Sequence, residues 1–473
     1  MGLLLLRKNE LERRTKEIPA EVAEWRTATE NDLDSNLHWS QMAAIGELVE
    51  AYRRAYDSKL ENLPPETDKP AYEAALYDVL MAIASAQRAW DFFRRKFDQR
   101  RSERYRKRLR AADIIAIDCY DAAIGAAKAK GWIAEQDIRE PPLTYLSPEI
   151  SPMAWARGTR PNDGRSEELE GRTLPIPVVE VPYDQMANVW ELLSIAHEVG
   201  HEIDADLKLL PAVKTNLSKA FENTAIPPDR RRRWLGWASE IFPDLLALQL
   251  SGPAYAYMLR NVLILPFVAV TNVVLGDVHP NHYLRILLCT AYIRGMGPGF
   301  QEAAFRTALD GHAADLESTW TGLYGNPPAL ADYLADIPLV ISGVMDSPIP
   351  SMNGATLRSL VDYTPVHEAK ITQGALDLRN RNSRIDMAPR HAISLVRMAI
   401  NGAISDGSLD AEIDDISTNA IALLDHNAPQ GKRGPGDALE VPEDARKSRI
   451  ERFVAMDLNS VSPLQERITH PWT

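Results

Sequence analysis

The chain has 473 residues, 45% of them apolar and 25% charged, with a formal net charge of −13. That length exceeds one ordinary core, so two or three domains are expected, in the composition range of a globular protein. The acidic balance argues against nucleic acid as a partner, and with only two cysteines, Cys119 and Cys289, there is no disulfide framework and no thiolate metal site.

The N-terminus reads MGLLLLRKNELERR. Four leucines are too short an apolar run for a secretory signal, and Leu6 stands where a myristoylation signal needs Ser or Thr; a cytoplasmic location is expected. Residues 1–139 read as a helical region, with apolar residues at helical spacing in 42–56 and 72–93, a turn at 64–70, and Asp32 or Ser35 as a cap. Within it, 94–110 carries ten Lys or Arg against two acids; a solvated helix face accounts for such a run better than a nucleic-acid site does.

Composition changes at about 140, where prolines become frequent. The polar stretch 158–173 reads as a loop, and IPVVEVP at 176–182 as a short strand whose prolines favour a sheet edge. Asp184 is a candidate N-cap for a helix over 185–207. A further helix follows Pro227-Pro228 and closes at Ser251-Gly252-Pro253. Residues 255–325 are helical in pattern, and the apolar run 262–275, too short to span a bilayer, is expected to be a buried core helix. Breaks at 325–328 and 346–354 precede more helix over 355–425. Residues 428–444 look like a linker, and the last thirty like a docking helix or a loose tail. The domain reading is a helical region (1–139), a core (140–300), a second helical region (301–426), then linker and tail (427–473).

The chemistry concentrates in His197-Glu198-Val199-Gly200-His201. On a helix, positions i and i+4 share a face, so both imidazoles can meet one ion, and zinc suits imidazole nitrogen. Glu198 can then reach a water at the metal and act as its general base. A catalytic zinc site needs a third protein ligand, and Glu240 is the candidate. Asp244, four residues on, can accept the free ring N–H of a ligand histidine; Asp204 is another candidate for that role, with a place on the helix surface as its alternative.

HExxH followed by ExxxD resembles the gluzincin arrangement of thermolysin-like, neprilysin-like and CAAX-processing metallopeptidases. His279-Pro280 followed by Arg285 is similar to the downstream His and Arg of the neprilysin-like and CAAX-type enzymes. The resemblance covers about 175–290. It implies His279 as stabiliser of the tetrahedral oxyanion and Arg285 as its supporting residue, a role that a preorganised donor fills physically. His282, Tyr283, Tyr255 and Tyr257 are alternative donors. The chain departs from the pattern at Pro243, which should kink or restart the Glu240 helix. It also lacks the Asn-Ala-x-Tyr strand of the neprilysin-like enzymes and the Gly-x-Met-Glu-Asn signature of gluzincin aminopeptidases.

The expectation is therefore a mainly α (α+β) protein with a zincin-like core and a small mixed sheet. It would bind one Zn2+ per chain and hydrolyse peptide bonds of a peptide or protein substrate, an endopeptidase in preference to an aminopeptidase. A non-catalytic zinc-binding regulator or scaffold, and a peptidase toxin or effector, are the alternatives.

Overall fold

The computed structural model describes residues 2–30, 37–155, 174–274, 276–407, 410–429, 433–434 and 436–460. The loop expected at 158–173 and the caps expected at Asp32 and Ser35 lie outside them.

Four helices open the chain: α1 (Gly2–Arg14), α2 (Glu17–Glu30), α3 (Trp39–Glu61) and α4 (Lys69–Asp98). α4 starts where the Asp68 side chain accepts from the Ala71 amide, with a proline in the first turn. Its buried residues Leu76, Val79, Ile83, Ala86, Trp90, Phe93 and Phe97 recur at helical spacing and pack on Ile45, Leu48 and Tyr52 of α3. The basic run 94–110 is only partly a solvated face. Arg100, at its centre, turns inward and is 8% exposed.

α5 (Arg106–Ala129) leads to three strands, β1 (Leu143–Ser147), β2 (Met153–Trp155) and β3 (Val178–Pro182). The sheet order is β1-β3-β2, so the 176–182 segment is the central strand and not an edge. Its prolines sit before and at the end of β3, leaving Val178 to Val181 free to pair on both sides. β1 runs parallel to it (Leu143 opposite Val178) and β2 antiparallel (Ala154 opposite Val179), and β2 is an outer strand.

The helix expected over 185–207 is two pieces. A 3-10 turn spans Val189–Ser194, and α6 proper is Ile195–Leu207, so Asp184 does not cap it. Then come α7 (Leu210–Ala220) and α8 (Pro228–Ser251). α8 runs unbroken through Pro243. α6 crosses it so closely that a Cβ on Gly200 would lie 3.0 Å from Pro243 Cα and Cβ; this packing offsets the amide hydrogen bond that proline forfeits.

Next in order are α9 (Ala254–Val262), α10 (Phe267–Thr271), α11 (His282–Arg294), α12 (Ala303–Tyr324), α13 (Ala331–Ile341), α14 (Pro365–Arg379), α15 (Pro389–Ser405), α16 (Asp410–His426) and α17 (Glu443–Ser460). The run 262–275 is not a buried helix. Pro266 and Asn272 limit it to the five residues of α10, and Val262, Ile264, Leu265, Phe267, Val268 and Val274 are exposed. Among the described residues, one helical stretch, Pro328–Asp346, is long and apolar enough to cross a membrane, and half of it is buried inside the fold.

The apolar interior forms two main cores. The larger gathers α5 through α16 around Trp234, Trp237 and Trp320. The smaller joins α1 to α4 with Leu143, Ile176 and Val178, and with Ile450, Phe453 and Val454 of α17. The cores therefore do not follow the composition boundaries. α5, inside 1–139, belongs to the larger core, and α17, from the expected tail, docks on the first helices through Tyr52 Oη donating to Asp457 (2.6 Å). The protein is mainly helical with a small mixed sheet.

Candidate metal centre

α6 is buried on most of its surface, and its His197, Glu198 and His201 face a cleft bounded by β2, α8 and the 277–282 turn before α11. The i, i+4 spacing puts the two imidazoles on one face, where their rings lie 5.0 Å apart and near perpendicular. Glu240 of α8 points at both: its Oε2 is 3.2 Å from His197 Nε2 and 3.7 Å from His201 Nε2. One donor atom from each of the three residues falls within 4.8 Å of the others. Two imidazoles and one carboxylate make a donor set that suits zinc, with a position left for water or substrate.

Behind these three side chains, further residues hold them in place. His197 Nδ1 is 2.8 Å from Asp244 Oδ1, which sets the ring so that Nε2 points to the cleft. Asp244 is 2% exposed and receives two hydrogen bonds from Arg285, Nε at 2.9 Å and Nη2 at 2.7 Å, plus one from Tyr255 Oη at 2.6 Å. Arg285 thus supports Asp244, not His279. Asp204 is a correction too: its carboxylate accepts from the Leu209 and Leu210 amides (3.1 and 2.6 Å) and shapes the α6–α7 turn. Neither His197 nor His201 has a hydrogen bond to it.

His279 Nε2 lies 3.1 Å from Glu240 Oε2, and the ring is 42% exposed at the cleft mouth. His282 lines a neighbouring pocket, and its Nδ1 is buried without a hydrogen-bond partner. The tyrosines weighed as donors are elsewhere engaged: Tyr255 on Asp244, Tyr257 beside His312 (3.3 Å), and Tyr283 on the Gly325 carbonyl (2.8 Å). Sequence reasoning missed the Tyr255 clamp, because the contact links α9 to α8 through a turn whose geometry no local pattern encodes. It also missed the contact between Glu198 and the backbone of Ala154 in β2.

The electrostatics follow from this packing. Burial raises the Glu198 carboxyl to about 7, against the pull of His197; Glu240 adds repulsion. Burial opposes charge on His197, yet Asp244 and Glu240 push it up to about 10. Burial, with the charge on His197 next to it, depresses His201 to about 4. Burial works against the Glu240 charge, but hydrogen bonds from His197 and His279 hold it well below the carboxylate range; Asp244 is held low chiefly by Arg285 against the same penalty.

Two cavities meet at His197 and Glu198. The one beside α9, about 220 Å3, has an apolar wall of Met258, Leu259, Val262 and Leu263, and a polar corner where Ser194 Oγ donates to Gln185 (3.0 Å). The other, about 570 Å3, runs between β2 and His201 and is open to solvent. No protein-family model, curated protein or solved structure matches this chain.

Proposed function

We propose that this chain is a zinc-dependent metallopeptidase with a zincin-like core, acting on peptide bonds within extended segments. The observation that carries the reading is the convergence of His197, His201 and Glu240 donor atoms within 4.8 Å, with Glu198 on the same helix turned into the same cleft. Zinc bound there would polarise the scissile carbonyl and acidify water.

The chain's own residues supply the rest. Glu198 takes the proton of the attacking water and passes it to the leaving amine. β2 is an outer strand whose backbone touches Glu198, so a substrate that adds itself along that edge brings its carbonyl to the base. His279 and His282 line the cleft beside Glu198, where a donor can meet the developing oxyanion. Asp244, Arg285 and Tyr255 position His197.

The test is metal content by mass spectrometry together with cleavage of a peptide library. We expect about one zinc per chain in the wild type, far less in Glu240→Ala, and cleavage that is lost in Glu198→Gln while zinc is retained. No zinc after incubation with the metal would overturn the reading. Zinc without Glu198-dependent cleavage would leave a zinc-binding regulator.

A further inference from the structure

A further cavity, about 280 Å3, shares no lining residue with the cleft and opens between α3, the 139–140 segment ahead of β1, and α17. Its α17 wall carries Arg446, Arg449 and Arg452, which repeat at i, i+3 and i+6 and so form one ridge; Arg139 faces them. Glu140 is its one acid. The remaining wall is apolar, chiefly Ile450, Phe453 and Met456.

The charges in this cavity do not balance. Arg139 Nη1 lies 3.2 Å from Asp206, and Arg449 Nη2 3.6 Å from Glu140. Among the described residues, Arg452 reaches only the Ser448 hydroxyl (3.0 Å). Arg446 is 5% exposed, yet among the described residues no carboxylate lies in ion-pair range, and Glu443 interacts with it only at longer reach. Its Nη1 reaches the Val441 carbonyl at 3.5 Å, its Nε meets no acceptor, and its guanidinium lies 5.9 Å from the Trp39 ring. A guanidinium withdrawn from water without a counter-charge in contact is costly, and an oxyanion in the cavity would offset that cost. Guanidinium forks match phosphate or carboxylate oxygens, and the apolar wall next to them selects an anion with an apolar body.

We propose that this cavity binds a phosphate monoester carrying an apolar group. The phosphate sits on the Arg446–Arg449–Arg452 ridge and the apolar group lies against Ile450, Phe453 and Met456. The site is independent of the metal centre and of the reading given to it.

Calorimetric titration of the full chain at low salt tests this, with hexyl phosphate, inorganic phosphate and vesicles containing phosphatidic acid as probes. We expect saturable binding of hexyl phosphate, roughly tenfold tighter than inorganic phosphate, and a loss of about tenfold or more in Arg446→Gln and in the exposed-site variant Arg452→Gln. Equal affinity for the two soluble probes would overturn the amphiphile. Unchanged binding in Arg452→Gln, or binding to vesicles alone, would overturn the cavity as the site.

Discussion

Asp244 is the residue on which the candidate metal centre turns. It is buried, accepts three side-chain hydrogen bonds from Arg285 and Tyr255, and still faces His197 Nδ1 at 2.8 Å. Its carboxylate keeps its charge in an apolar setting because Arg285 is beside it. Asp244→Asn leaves the shape nearly unchanged but weakens the hold on the His197 tautomer, so the zinc affinity proposed for the site should fall about 10–100-fold, read by competition with a chelator. Arg285→Leu is the harsher change. It strands a buried carboxylate, and denaturant unfolding should show a loss of about 3–5 kcal/mol. His279 and His282 are separated by kinetics. On the proposed peptidase reading, replacing the histidine that serves as oxyanion donor with Phe should lower kcat by about 100-fold at nearly constant KM, whereas replacing the other should not.

At the scale of elements, the contact of α6 with α8 sets the distance between His197 and Glu240. Gly200 and Pro243 are the point of closest approach. Gly200→Ala gains up to about 1 kcal/mol of helix propensity, but its methyl would lie 3.0 Å from a proline backbone atom that cannot rotate away. Overpacking of this kind costs about 1–3 kcal/mol, so the net effect should be destabilising, with weaker zinc binding as the helices part. Gly236→Ala in α8 is the control. No atom outside the local chain lies within 4 Å of its added Cβ, and it should stabilise by up to about 1 kcal/mol. Thermal and denaturant unfolding of the two variants should move in opposite directions.

Across the whole molecule, the two cores are tied by a buried polar junction. Asp113 of α5 accepts from Arg100 (3.0 and 2.7 Å), from Thr144 of β1 (2.5 Å), and lies 3.1 Å from His38 at the start of α3. Burial works against its charge, yet Arg100 and His38 overcome this and hold the carboxyl at about 2, below its ordinary 3.8. A depressed acid stabilises the fold above its unfolded pKa, and that contribution drains away as pH falls from about 4 towards 2. The drop corresponds to about 2 kcal/mol. Stability measured against pH should show this loss in the wild type. Asp113→Asn should be less stable at neutral pH and flatter over the acid range.

What the sequence determined by itself is what depends on short range. Helical period alone put His197 and His201 on one face, and Glu240 and Asp244 on another, so the metal-centre candidates were legible as two i, i+4 pairs. The mainly helical architecture was readable for the same reason, since apolar spacing in stretches such as 72–93 already contains the face that α4 buries. The rest needed the tertiary structure. The 176–182 strand is central because β1 and β2, consecutive in the chain, flank it on opposite sides, and no residue in it announces two neighbours. The 262–275 run looked like core because its residues are apolar, and Pro266 and Asn272 keep it at the surface. Asp204 and Arg285 have the right chemistry for several roles, and only packing chose between them: the α6–α7 turn captures the first, and buried Asp244 the second. Local periodicity names which side chains share a face, whereas the partner across the cleft is set by contacts between segments distant in sequence.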